Sequence, residues 1–261
     1  TDGTAEVLAR YPHLRVIREP DRNLYDAINK GIAAARAPVI GLLNSDDLYA
    51  PGAFAAAEAA LAEPAVEMVL GAAEFFTERE GRQRPLRRLA GDANALSEGN
   101  AIAGITTMNA AFYRRSLLDR TGPFDIRFPL AADKDFWLRL CLLGPRLAVL
   151  PETIIRYRSH EGSLTFAEGD LRGKLSRHLL DAAAARLADL PPGRGAHAAY
   201  RRWHAWAAGY RAGSQMRAGA WRGALATLGA AFVADPLWPT RFLARLPGHW
   251  RGRKERQGQP I

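Results

Sequence analysis

Two adjacent carboxylates, Asp46 and Asp47, close the segment Val39-Ile-Gly-Leu-Leu-Asn-Ser-Asp-Asp47. Val39 to Leu43 are apolar without alternation, the pattern of a short parallel strand covered on both faces. Such strands carry function at their C-terminal ends, in the crevice outside an open α/β sheet. Two like charges side by side are costly unless a cation neutralises them, and hard oxygen donors suit Mg²⁺ or Mn²⁺. A loop aspartate capping the helix that starts near Pro51 uses the same residue types. Spacing alone does not separate the two.

Two more carboxylates, Asp133 and Asp135, open Ala132-Asp-Lys-Asp-Phe-Trp-Leu-Arg139. A helix predicted over Asp133 to Leu143 places Asp133 in the first turn, where the helix dipole favours negative charge. A carboxylate there can take a proton from an acceptor hydroxyl, or it can simply cap the helix. Asp135 competes for the base role from a different side of the helix. Asp26 and Lys30 lie one turn apart, the spacing of an i,i+4 ion pair worth about 0.2–0.5 kcal/mol. Arg158 and His160 follow the last predicted strand.

The elements that must position these residues alternate. Helices are predicted over Thr4–Tyr11, Leu24–Arg36 (ended by Pro38), Ala53–Ala62 and Asp133–Leu143. Strands are predicted over Leu14–Arg18, Val39–Leu43, Glu67–Phe76, Ile102–Met108 and Leu147–Tyr157. Thr77–Leu89 reads as a hairpin or solvated loop, and Asn109–Thr121 as a short helix with its connection. The alternation predicts an α/β fold with a mostly parallel sheet flanked by helices. Beyond it, helices Leu171–Leu190 and Ala196–Ala212 flank the Pro191–Gly195 break, and a helical pair covers Ser214–Ala234. Arg251–Ile261 is expected to be disordered. The organisation is therefore 1–166 for the α/β domain, 167–250 for a helical region and 251–261 for a basic tail.

The 261 residues carry 36 Lys+Arg against 27 Asp+Glu, a net +9. From Leu171 onward the balance is 16 basic to 4 acidic, +12, which leaves −3 for residues 1–170. Five of six tryptophans, Trp203, Trp206, Trp221, Trp238 and Trp250, share that basic third. Basic residues mixed with Trp favour an anionic membrane surface; a packed helical appendage with a solvated basic face is the plainer alternative. No nucleic-acid module accompanies the charge. The single cysteine, Cys141, reads as a buried, inert thiol. No G-x-G-x-x-G follows a strand, and no G-x-S-x-G is present, which argues against a dinucleotide oxidoreductase and an elbow hydrolase.

Tyr25-Asp-Ala-Ile-Asn-Lys-Gly-Ile32 and Gly41-Leu-Leu-Asn-Ser-Asp-Asp-Leu-Tyr49 resemble the "YDAMNKGI…GDIIGFLNSDD.Y" motif of bacterial family 2 glycosyltransferases, of the inverting GT-A class, that act in polysaccharide assembly. Thr1-Asp-Gly-Thr4 resembles the end of the family's "DGSTDGT" turn. Ala132-Asp-Lys-Asp-Phe-Trp-Leu-Arg139 resembles "ED.D.WLR", with Ala132 where the family often has Glu. Arg156-Tyr-Arg-Ser-His-Glu-Gly-Ser163 resembles "YR.H..S". The resemblance spans residues 1–166 in the family's order, and places the family's first strand upstream of Thr1.

This resemblance implies transfer of a sugar from a nucleotide-diphosphate sugar to a hydroxyl of a glycan or lipid-linked acceptor. It implies Asp133 as general base and Asp46 as direct ligand of a divalent metal (Mn²⁺ or Mg²⁺), with Asp47 a second ligand or bound through water. Asn44 stands where the family contacts ribose. Asp26 would face the nucleoside, Lys30 the diphosphate, and Arg158 and His160 the diphosphate side of the site. The implied location is cytoplasmic, peripheral to the inner face of the cytoplasmic membrane through residues 171–261. A non-catalytic sugar-nucleotide-binding or scaffold module is the alternative, and a polyanion-binding tail a third.

Overall fold

The computed structural model describes residues 3–105, 107–160, 171–193 and 195–243. Helix α1 (Thr4–Leu8) is followed by irregular chain. The strand expected over Leu14–Arg18 is not formed: Leu14, Val16 and Ile17 are exposed, and no described strand pairs with the segment. β-branched residues make a strand only where a neighbour satisfies their backbone groups.

Helix α2 (Leu24–Ala34) is capped by Asn23, whose Oδ1 accepts from the backbone N–H of Tyr25 (3.0 Å) and Asp26 (3.2 Å). It stops at Ala35, ahead of Pro38, as a proline in its path requires. Strand β1 (Val39–Gly41), strand β2 (Leu48–Tyr49) and helix α3 (Ala53–Leu61) follow. Gly41 is needed where it stands, because a Cβ there would run into the Tyr49 hydroxyl and the Phe112 ring.

Strands β3 (Met68–Arg79) and β4 (Arg82–Leu89) form the hairpin that was one option for Thr77–Leu89. Its turn residues Glu80 and Gly81 both take positive φ, the twist-matched geometry of a tight hairpin. Ile102 lies not in a strand but in helix α4 (Glu98–Ala103), capped by Ser97 Oγ accepting from Asn100 N. Likewise, the helix expected over Asn109–Thr121 splits into a 3₁₀ turn (Met108–Ala110), strand β5 (Ala111–Arg114) and helix α5 (Arg115–Thr121). The buried aromatic pair Phe112 and Tyr113 suits a strand flanked on both sides. Helix α6 (Ala132–Leu143) and strand β6 (Leu147–Arg158) complete this layer.

The six-stranded sheet runs β1-β5-β3-β6-β2, with β4 beside the distal half of β3. β3 and β6 are parallel, whereas β5 is antiparallel to both β1 and β3, and β2 to β6. The α/β architecture is as expected. The sheet is mixed rather than mostly parallel, because the unexpected strand β5 inserts between β1 and β3 in the opposite direction.

Phe136, Trp137 and Leu140 of α6 are buried in the core. Gly144, at φ 61°, ends the helix with its N–H to the Leu140 carbonyl (3.2 Å). Cys141 is half-buried beside this core, and burial raises its thiol pKa.

Helices α7 (Leu171–Asp189), α8 (Ala196–Arg217), α9 (Trp221–Ala234) and α10 (Trp238–Leu243) form the C-terminal region. α8 runs past Ala212, the end expected for it. Leu179, Ala182, Tyr200 and Trp203 belong to the same hydrophobic cluster as Phe136 and Trp137, so α7 and α8 share the core of the sheet layer, while α9 and α10 pack on α8 in a separate cluster. Trp203 and Trp238 are buried, which spends them on packing; Trp221 is exposed. No helix among the described residues is long and apolar enough to cross a membrane. Trp250 and the tail Arg251–Ile261 lie outside the described residues, as do residues 161–170.

Candidate active site

The loop after β1 and the end of β6 lock together. Asp47 is 6% exposed. Its Oδ1 accepts from the Arg158 N–H (3.1 Å) and its Oδ2 from Asn44 Nδ2 (3.0 Å). Burial pushes the Asp47 carboxyl pKa up, against the lowering by the Arg158 N–H, and neighbouring Asp46 adds to the rise. Asp47 therefore braces the loop, with both oxygens engaged.

Asp46 points the other way and stays partly exposed. His160 Nε2 sits 3.1 Å from its Oδ2, while Arg158 Nε donates to its backbone carbonyl (3.3 Å). Arg158 also pairs with Glu78 (3.0 Å). Asn44, Asp46, Asp47, Arg158 and His160 are thus brought together.

Asp133 comes from a different element. It is the second residue of α6, whose N-cap is Ala131 with no side-chain cap bond. Asp133 is therefore not the cap residue. The buried Tyr25, at the start of α2, lies beside Asp133; burial first, then that carboxylate, raise the Tyr25 pKa. Tyr25 is seated by Phe124, stacked at 5.4 Å, which in turn stacks on Phe136 at 4.1 Å. The Tyr157 phenol of β6, raised mainly by burial, feels both Asp47 and Asp133. Tyr157 thus lies within electrostatic reach of both the strand-end loop and the α6 N-terminus.

Asp135 is not part of this opening. It is fully buried and accepts from Arg139 Nε (3.0 Å), Arg186 Nε and Nη2 (both 2.7 Å) and the Tyr200 hydroxyl (2.6 Å). A carboxylate enclosed by two guanidinium groups and a phenol is not placed to meet an acceptor hydroxyl.

Asp26 and Lys30 form the i,i+4 pair at 3.5 Å, on the surface. Lys30 Nζ also meets Asp21 (2.8 Å), Glu19 (3.2 Å) and the Pro20 carbonyl (2.7 Å), and its pKa is raised mainly by Asp21. Asp26 accepts from the Arg22 N–H (3.0 Å), which together with Lys30 lowers its pKa. The pair secures the loop before α2 and is not linked by any described bond to the Asp46 cluster.

Several positioning residues had no role assigned from sequence. Asn23 Nδ2 donates to the Ile126 carbonyl (2.8 Å), and Asn29 exchanges two bonds of 2.8 Å with the Phe124 backbone. These amides hold α2, and with it Tyr25, against the segment leading to α6. Asn23 before an apolar helix is a readable cap signal; Asn29 carries no local signal.

Next to Asp133, Lys134 donates to the Gly104 carbonyl. Burial pushes its ammonium down to about 8, with Asp133 opposing. An unfolded lysine titrates near about 10.4, so between these values the unfolded chain binds the extra proton. Stability should then rise with pH across that window. Urea unfolding of Lys134→Met should lack the rise; a wild-type profile in the variant would assign it elsewhere.

Among the described residues no group of three or more His, Cys, Asp or Glu could hold a metal by itself. Asp46 and His160 offer two donors at a partly exposed point. That set fits a cation held mainly by diphosphate oxygens and water, the usual habit of Mg²⁺ at phosphates.

Residues 1–122 match the glycosyl transferase family 2 model. An uncharacterized glycosyltransferase of Mycobacterium tuberculosis is 32% identical over 128 residues, 48% of this chain and 47% of the relative. A PGL/p-HBAD biosynthesis glycosyltransferase of Mycobacterium bovis is 29% identical over 141 residues, 51% of this chain and 49% of the relative. The chain spans about half the length of the curated relatives it matches. Among solved structures, S. aureus TarS 1-349 in complex with UDP-GlcNAc superposes with TM-score 0.59 at 18% identity, covering 99% of this chain and 80% of that one. Residues 1–122 are thus similar to glycosyl transferase family 2, and the chain has a GT-A-type fold.

Proposed function

We propose that this protein is an inverting glycosyltransferase. It moves a sugar from a nucleotide-diphosphate sugar to a hydroxyl of a glycan or lipid-linked acceptor. The observation that carries this is Asp46 facing His160 at the end of β6, with a partly exposed Asp133 in the first turn of α6. Departure of a nucleoside diphosphate builds negative charge that must be neutralised. Asp46 and His160 would hold a divalent cation there, and that cation would stabilise the leaving diphosphate. Asp47, behind them, keeps the loop in register. Asp133, beside Tyr25, would take the acceptor's proton as the hydroxyl attacks C1 from the face opposite the diphosphate. One displacement inverts the anomeric centre. Asn44 would contact ribose, and Arg158 would support the diphosphate side. Asp26 and Lys30 would act at the nucleoside edge by way of the loop they secure. A cytoplasmic location, peripheral to the inner face of the bacterial cytoplasmic membrane, belongs to this reading and rests on the basic surplus after Leu171.

The test is nucleoside diphosphate release from a panel of sugar nucleotides with Mn²⁺, Mg²⁺ or chelator. UDP-GlcNAc, the sugar nucleotide in the TarS complex, heads the panel. Release should be chelator-sensitive and should fall at least about 100-fold in Asp46→Asn, the scale of losing one preorganised charge-stabilising group, with the melting temperature unchanged. Full activity of that variant would sink the metal assignment. Donor binding without turnover, under every acceptor tried, would favour a sugar-nucleotide-binding module instead.

A further inference from the structure

We propose that the solvent-facing side of α9 docks onto a bilayer containing anionic lipid. This rests on the peripheral-membrane part of the reading above and not on the chemistry at Asp46 and Asp133. α9 carries a single charged residue, Arg222. It turns Ala224 and Ala231 inward, with Leu228 half-buried against Ala205, Ala208 and Trp238. Its other side is also apolar: Trp221 is 61% exposed, Leu225 67%, Phe232 53% and Val233 84%, and Leu237 continues the patch beyond the helix. A helix apolar on all sides is normally buried on all sides, and a contiguous exposed apolar patch marks an interaction surface.

Charge selects the occupant. Residues 190–254 contain 11 Lys and Arg and one acidic residue, Asp235. That aspartate is buried and held by Arg201 at 2.7 Å, so the region shows solvent no described carboxylate. Exposed Arg217 and Arg222 flank the start of the patch, and Arg241, Arg245, Arg251, Arg253 and Lys254 follow it in the chain. Aliphatic side chains beside arginines match acyl chains beneath anionic headgroups. A nucleic acid would satisfy the arginines but leave Leu225 and Val233 unmatched. A second copy would bring two basic flanks together.

The experiment is co-sedimentation of the full chain with phosphatidylcholine vesicles, with and without phosphatidylglycerol. Wild type should bind only the phosphatidylglycerol vesicles. Leu225→Gln/Val233→Gln should bind them roughly tenfold more weakly or worse, the scale of withdrawing two aliphatic side chains from burial. Both positions are exposed, so circular dichroism should show unchanged helix. Absence of wild-type binding overturns the proposal. Undiminished binding by the variant overturns it in favour of charge alone, and self-association of wild type that the variant abolishes overturns it in favour of a second copy. Nucleoside diphosphate release from a soluble donor needs no vesicle and reports on the transferase reading separately.

Discussion

Asp135→Ala should lower stability by roughly 3–5 kcal/mol, the usual cost of stranding a buried charge partner, and melting temperature by about 10 °C. The carboxylate comes from α6, Arg186 from α7 and Tyr200 from α8, so one side chain joins the sheet layer to the C-terminal helices. Removing it leaves Arg139 and Arg186, both largely buried, without their shared acceptor. Arg139 keeps the backbone carbonyls of Thr121, Gly122 and Pro123, and Arg186 keeps Asp125 at 3.5 Å, which limits the loss. Tyr200 loses the partner of its hydroxyl, whose pKa burial and Asp135 together raise. Urea denaturation of the variant measures the effect. A wild-type midpoint would mean the network is replaced on mutation, most simply by water.

Asp133→Asn should lower kcat by about 100- to 10,000-fold, the range for removing a positioned general base. Donor affinity and melting temperature should stay near wild type. The amide keeps the shape, and the Asn23, Asn29 and Phe124 contacts that hold α2 against the segment before α6 are untouched. What it loses is the capacity to take a proton. The contrast with Asp135 is the informative part: two aspartates two residues apart should fail in different assays, one in turnover and one in unfolding. If Asp133→Asn turns over at the wild-type rate, the base lies elsewhere.

The elements that hold the site were largely readable. Asn23 before an amphipathic run announces α2, and Pro38 limits it. The apolar run after Pro38 announces β1, though β1 pairs antiparallel with β5 at the end of the strand order and not as the parallel, doubly covered strand expected; Gly144 closes α6 where the apolar pattern ends. These signals act within one or two turns of chain, and local sequence contains them. Strand β5 was not readable. Ala111-Phe-Tyr-Arg114 is four residues long, and it is a strand because β1 and β3 lie on either side of it. The same dependence, in reverse, leaves Leu14–Arg18 unpaired.

By itself the sequence determined which chemistry is available: carboxylates at a strand end and at a helix start, in an order that resembles glycosyl transferase family 2. It also determined that positive charge gathers in the last third. Only the tertiary structure decided what each group does. Asp46 and Asp47 are neighbours of one type, yet one faces solvent beside His160 and the other turns inward to Arg158 and Asn44. Asp133 and Asp135 divide in the same way, and Trp203 and Trp221 between core and surface. The physical reason is that burial and hydrogen-bond partners come from residues distant in the chain: Asp135 meets Arg186 and Tyr200, 51 and 65 positions away, and Asp47 meets Arg158, 111 away.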